Sequence, residues 1–261
     1  MSDGLNSEAH RIWDAMAEWW DDTIGDGNDF QRVLIEPASE RLLGDIAGQT
    51  ILDIGCGAGR FARRMAEMGA NITAFDFSER FINRALQRTP PEMSIAYHVA
   101  DATDYPRLLA FGAGQFDQAV ATMSLMDIAA IEPLCQALSL LLKPGGHFIM
   151  TVQHPCFQPP GMTRYAEMSD ADGQDIRRNG LKIPQYLTPI AYRGLGIVGQ
   201  AEAHYHFHRP LSVYVSTALA AGFVLDGMEE PGFPPENARP AGMRWDDMPE
   251  LPPVLALRFR K

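Results

Sequence analysis

The sequence predicts an α/β fold in which a buried parallel sheet lies between two layers of helices. Three observations carry this. Gln49 to Ile54 has the near-continuous apolar character of a central strand covered on both faces. Gly55, Gly57 and Gly59 follow at once, removing side chains where the backbone must turn sharply and where a ligand can approach the amides. Phe61, Met65 and Met68 then recur at helical spacing, and short apolar strands alternate with helical patterns along the rest of the chain. A strand, a glycine turn and a helix N-terminus together make a nucleotide-type site at the carboxyl end of a parallel sheet.

Each element follows from local chemistry. Trp13, Met16, Ala17 and Trp20 fall at i, i+3, i+4 and i+7, one apolar helical face, and Asn6 or Ser7 can cap its start. Asp26 to Phe30 reads as a loop, and Pro37 to Ile46 as a helix entering the first strand. After the glycine turn, Gly69 sits where a helix C-cap belongs and Ile72 to Asp76 is a second strand. Ser78 caps a helix carrying Phe81, Ile82 and Ala85. Ser94 to Val99 and Phe116 to Ala121 are the third and fourth strands. Ile131, Leu134, Cys135, Leu138 and Leu141 share one helical face, and Lys143-Pro144-Gly145-Gly146 is a turn no helix continues, ahead of a fifth strand from His147 to Val152. Pro210 to Ala221 reads as a helix ended by Gly222-Phe223, followed by strands Val224 to Glu229 and Pro253 to Arg260. The organisation expected is an N-terminal helical cap (1–30), a cofactor-binding core (31–154), a substrate-covering insertion rich in proline, glycine and tyrosine (155–205), and a return to the core (206–261).

Composition narrows the partners. The 261 residues suffice for one α/β domain with an insertion, and the formal charge of -11 argues against a surface that tracks phosphate backbones. No apolar run approaches the ~18 residues that span a bilayer. Met1 to Arg11 lacks the basic start and apolar core of a secretory signal. A cytoplasmic protein with neither nucleic-acid nor membrane partners is expected. Cys56, Cys135 and Cys156 are odd in number and widely spaced, which fits reduced thiols, and they form no metal-ligand pair.

The turn itself selects a ligand. A dinucleotide fingerprint G-x-G-x-x-G beginning at Gly55 places its third glycine at position 60, which is Arg60. Asp53, two places before Gly55, gives a pyrophosphate nothing but repulsion, whereas a ligand bearing an ammonium and a sulfonium group suits it. This D-x-G-x-G-x-G pattern resembles motif I of the class I methyltransferases that use S-adenosylmethionine, and the L-K-P-G-G before the fifth strand is similar to another of their recurrent features. H-P-C-F at 154–157 and H-R-P-L-S at 208–212 resemble segments of a small-molecule (methyltransferase type 11-like) branch. The likeness covers nearly the whole chain apart from the insertion. It implies a Rossmann-like three-layer sandwich whose seven-stranded sheet has the order 3-2-1-4-5-7-6 with strand 7 antiparallel, and a lid after strand 5. It also implies methyl transfer to an O, N or C nucleophile of a small molecule by in-line displacement, S-adenosylhomocysteine as product, and a monomer or homodimer.

Carried over residue by residue, the resemblance puts Gly55, Cys56, Gly57, Gly59 and Arg60 in the turn beneath the methionine portion of the cofactor, with Asp53 holding the turn and the amino group. Asp76, 23 positions beyond Asp53 at the tip of the second strand, accepts from the ribose hydroxyls, the alternative being a helix cap. Phe77 and Phe81 pack about the adenine, Asp101 beside Ala102 accepts from its exocyclic amine, and Met123 lies on the loop facing the methyl group. Trp13-Asp14 and Trp20-Asp21 bracketing Ala17 look like the family's Y-D-x-x-A-x-x-Y-D segment, which covers the cofactor. Tryptophan keeps the aromatic wall and loses the phenol hydroxyls. Plain docking of the helix explains the same residues equally.

For chemistry, His154 is the first candidate base and Asp127 can orient it or bind a substrate cation, with a scaffold role for His154 held equal. His204, His206 and His208 alternate like one face of a strand, but no fourth ligand stands out, so pocket lining or coincidence is expected rather than metal. Tyr165, Tyr186 and Tyr192 are candidates for an aromatic pocket. Two rivals stay open: a protein of this fold that binds S-adenosylmethionine with a non-methyltransferase activity, and an NAD(P)-dependent oxidoreductase, which Arg60 and Asp53 oppose.

Overall fold

Strands apolar on both faces can be buried only at the centre of a sheet clad in helices, and the computed structural model, which describes residues 2–239 and 242–261, is built that way. In chain order the elements are α1 (Ser2–Ile24), α2 (Glu36–Leu43), β1 (Thr50–Ile54), α3 (Arg60–Glu67), β2 (Asn71–Asp76), α4 (Glu79–Arg88), β3 (Ile95–Val99), α5 (Tyr105–Leu109), β4 (Phe116–Thr122), α6 (Glu132–Leu141) and β5 (Leu142–Gln153). Then come β6 (Thr163–Ala171), β7 (Gln174–Lys182), β8 (Ile190–Gly194), β9 (His204–His208), α7 (Leu211–Ala220), β10 (Val224–Glu229) and β11 (Val254–Arg260). The main sheet has the order β10-β11-β5-β4-β1-β2-β3. It is parallel except for β11, which runs antiparallel to both β5 and β10. This is the Rossmann-like arrangement and strand order expected.

The period-2 alternation of β1 sorts its side chains between two cores. Ile51 joins Leu42 of α2, Phe61 and Met65 of α3, and Val120 on one face. Leu52 and Ile54 join Phe75, Leu134 and Leu138 of α6, and Tyr214 of α7 on the other. Helix α1 lies against α4, where Asp14 Oδ1 accepts from Ser78 Oγ at 2.8 Å and Asp21 takes the guanidinium groups of Arg84 and Arg88 at 2.5 and 2.7 Å.

The differences from expectation have local causes. The expected loop before α2 ends in a π turn, Phe30–Ile35, running straight into a helix that stops at Gly44, whose φ is +69°. Helix α5 was not anticipated, because five residues are too few to show a period. Lys143 to Gly146 do turn, but as an irregularity within β5, whose register on β4 shifts between Phe116 and Gln118 while Lys143 Nζ bonds Asp117 at 2.7 Å. The insertion, given no secondary structure from the sequence, forms two antiparallel hairpins, β6 with β7 and β8 with β9. Polar, two-sided ribbons carry little apolar alternation, which hides them from a periodicity reading. Among the described residues no helix is long and apolar enough to cross a membrane.

Candidate active site

Where the strand order reverses between β1 and β4, the connecting loops diverge and leave a crevice at the carboxyl ends of the strands. A cavity of about 590 Å³ occupies it. Its floor is the turn after β1, where Gly55, Gly57 and Gly59 all have left-handed φ values of +64°, +52° and +73°. A Cβ on Gly59 would lie 2.3 Å from Tyr97 Oη, but over Gly57 the nearest atoms are the Phe81 ring at 3.9 Å. Gly59 therefore packs inward, outside the cavity wall, while Gly57 bares its main chain to the cavity. Asp76 Oδ2 accepts from Gly57 N–H and Oδ1 from Ser78 N–H, both at 2.9 Å. One bond per oxygen leaves each a further lone pair, and Asp76 lines the cavity. Burial pushes its pKa up to about 6 against the pull of those two N–H groups.

Asp53 corrects an expectation. Its side chain is 1% exposed, does not line the cavity, and has no hydrogen-bond partner at either oxygen among the described residues. Burial first, and the Asp76 carboxylate second, push it up to about 7. Asp101 lines the cavity, yet both its oxygens are engaged: Oδ2 accepts from Asn6 Nδ2 at 2.7 Å, and Oδ1 from Thr103 N–H at 2.7 Å and Thr103 Oγ1 at 2.8 Å. Arg60 also lines it, with its charge taken by Glu36 through bonds of 2.7 and 3.0 Å. Cys56, Phe77, Phe81, Ala102 and Trp20 complete the expected wall. Trp13 and Trp20 meet edge to face at 4.8 Å, so the helix docks and walls the cavity at once.

The far end of the cavity is where β4 ends. Met123 adopts φ +53°, rare for a residue with a side chain, its N–H held by Thr151 O at 2.9 Å. Asp127 follows in a short turn and lines the cavity with His204 and His206 of β9, each imidazole presenting a nitrogen 3.7 Å from Asp127 Oδ1. Burial raises the Asp127 carboxyl and lowers both imidazoles, His204 to about 3 and His206 to about 4. His208 turns away and bonds Tyr186 O at 2.7 Å.

His154 is the second correction. It is 1% exposed, outside the cavity wall, with Nε2 at 2.7 Å from Glu230 Oε1 and Nδ1 accepting from Cys156 N–H at 3.2 Å. With Nδ1 an acceptor, the ring proton sits on Nε2 and goes to Glu230, so no lone pair is left for a substrate. The ring pins the start of the insertion, and Asp127 serves β9 rather than His154. None of the three tyrosines lines the cavity: Tyr186 accepts from Leu211 N–H at 2.9 Å, and Tyr192 stacks on His206 at 5.2 Å. The sequence reading missed Arg164 and Trp245, which line the cavity with the guanidinium 4.9 Å above the indole. A lone tryptophan in a polar stretch was the available signal.

Residues 52–150 match a methyltransferase domain family. The chain is 37% identical over 106 residues to the magnesium-protoporphyrin O-methyltransferase of Rhodobacter capsulatus, covering 40% of this chain and 43% of that protein. It is 31% identical over 139 residues to the ubiquinone biosynthesis O-methyltransferase of Xanthomonas oryzae pv. oryzae, covering 51% and 55%. It thus spans about half the length of the curated relatives it matches. A crystal structure of an S-adenosylmethionine-dependent methyltransferase from Mesorhizobium loti superposes with a TM-score of 0.68 at 26% identity, covering 86% of this chain and 96% of that one.

Proposed function

We propose that the chain is a class I S-adenosylmethionine-dependent methyltransferase, transferring a methyl group from that cofactor to an oxygen of a small-molecule acceptor. The observation that carries the reading is the bare main chain at Gly57 above Asp76, a cradle that a Cβ would obstruct and a buried acceptor pair suited to vicinal hydroxyls. Oxygen is favoured because the relatives at 37% and 31% identity are both O-methyltransferases.

On this reading Asp76 binds the ribose hydroxyls through its free lone pairs, and Phe77 and Phe81 border the base. The Asn6 and Thr103 bonds hold Asp101 still, so its remaining lone pair accepts from the adenine amine. Bound there, the cofactor supplies an electrophilic methyl group on a sulfonium. The protein holds the acceptor in line with that bond at the Met123 and Asp127 end, an orienting effect worth up to ~7–11 kcal/mol, and the tryptophan wall excludes water. The three thiols are free, as a reducing cytoplasm allows.

The test is incubation of the purified protein with methyl-labelled S-adenosylmethionine and a metabolite extract. Label in a new product, with equivalent S-adenosylhomocysteine formed, is expected. Tight binding of S-adenosylhomocysteine without transfer to any extract would instead favour a protein that binds the cofactor for another purpose.

A further inference from the structure

We propose that His206 is the base that takes the acceptor's proton, its tautomer fixed by a chain of positioning residues, Gln200, His204 and Asp127. The assignment rests on the methyl-transfer reading and names the proton acceptor that reading lacks.

The chain of contacts starts at Gln200, which is buried. Its Oε1 accepts from Gly196 N–H at 2.9 Å and its Nε2 donates to Glu202 O at 2.5 Å, which settles the amide's orientation. Nε2 also lies 3.3 Å from Met16 Sδ and 2.9 Å from His204 Nδ1; the ring nitrogen is the nearer and stronger acceptor and takes the second hydrogen. His204 must then carry its proton on Nε2, the nitrogen 3.7 Å from Asp127 Oδ1. The same oxygen is 3.7 Å from His206 Nδ1, and both of these atoms are buried without a hydrogen-bond partner among the described residues. With Asp127 ionised, Oδ1 only accepts, so a proton on His206 Nδ1 satisfies both orphans once the gap closes by about 0.7 Å to ordinary hydrogen-bond length. Two such donors favour the ionised form of Asp127 against the burial that opposes it.

The lone pair of His206 is thereby placed on Nε2. Tyr192 stacks on the ring at 24° and 5.2 Å, fixing its plane, and the ring is part of the cavity wall. The groups facing it are Asp127, His204 and Tyr192, with Arg209 and Tyr214 across a small adjoining cavity. Burial holds the ring neutral at pH 7, as a base must begin. In the step, the acceptor's O–H bond breaks and its proton passes to Nε2. The oxygen's electron pair forms the O–CH₃ bond, and the electrons of the S–CH₃ bond stay on sulfur as a neutral thioether. Asp127 then faces an imidazolium.

Asp127, His204 and His206 present donor atoms within 4.8 Å of one another, a spacing that also suits a cation. A cation on His204 Nε2 needs the ring proton on Nδ1, where the Gln200 N–H is already aimed, so the relay is preferred.

Diethyl pyrocarbonate, which modifies only unprotonated imidazole, tests the assignment on the native chain, with modified histidines mapped by mass spectrometry. An ordinary histidine of pKa ~6.5 reacts roughly 25-fold more slowly at pH 5 than at pH 7. His206 is expected to react at both within about twofold. In the label-transfer assay, His206→Asn is expected to lose roughly 10²–10⁴ in rate with S-adenosylhomocysteine affinity unchanged, and added imidazole to restore part of the rate of His206→Ala. Three results would overturn the assignment: a His206 that is unreactive at pH 5, a stoichiometric Zn²⁺ retained on dialysis and lost in Asp127→Asn, or a His206→Asn variant as fast as the native chain. If the native chain binds S-adenosylhomocysteine but transfers nothing, the methyl-transfer reading fails, and the modification pattern still decides the state of His206.

Discussion

Asp53 and Asp76 sit on neighbouring parallel strands and divide the work of the glycine turn. Asp53 is buried without a good hydrogen bond and its pKa is raised from 3.8 to about 7. The folded chain therefore binds more protons than the unfolded one between those values, and stability falls as pH rises from about 4 to about 7, then levels off. Asp53→Asn abolishes that dependence, so its stability relative to the native chain is expected to climb across this window by up to ~4 kcal/mol. Denaturant melts at pH 4.5 and 8 check it, and a pH-independent difference would contradict the assignment. Asp76→Ala removes both the anchor of Gly57 N–H and the hydroxyl acceptor. Calorimetry is expected to show S-adenosylhomocysteine binding weakened by roughly 1–3 kcal/mol, and unchanged affinity would refute the ribose role.

At the scale of elements, the β1 to α3 turn and the α1 strap decide whether the site exists. Gly59→Ala adds a Cβ where φ is +73° and Tyr97 Oη stands 2.3 Å away. Left-handed strain of about 1–2 kcal/mol and overpacking of about 1–3 kcal/mol are expected to add, read as a lowered urea midpoint. Helix α1 is tied to α4 chiefly through Asp21, which receives both Arg84 and Arg88. Asp21→Ala is expected to speed amide exchange across α1 tenfold or more while leaving β1 protected. Equal acceleration in both would mean that α1 is part of the cooperative core rather than a strap over the cavity.

For the molecule as a whole, the crevice is bounded by a parallel sheet, by α1 and by the hairpin β8–β9, which meet where His204 packs against Trp13 at 4.5 Å. A ligand that binds only the folded state stabilises it by mass action, about 2.7 kcal/mol at a hundred times its dissociation constant. S-adenosylhomocysteine is expected to raise the melting temperature in this way and NADH to leave it unchanged. The reverse result would restore the oxidoreductase reading, despite Arg60 in the third-glycine position.

By itself the sequence determined the strands and the glycine floor, because these depend on short-range facts: the apolar run of β1, the spacing of Gly55, Gly57 and Gly59, and Ser78 as a cap; the strand order followed from the resemblance to class I methyltransferases. It also placed Asp76 at the tip of a strand, where it lines the cavity. Only the tertiary structure decided which polar groups have partners. His154 and His206 look alike in sequence, each on a strand or just after one, yet Glu230 lies 76 residues from the first and consumes its proton, while Asp127 faces the second and leaves a nitrogen open. Long-range pairing of this kind follows from how the chain closes on itself, and no local period, cap or propensity encodes it.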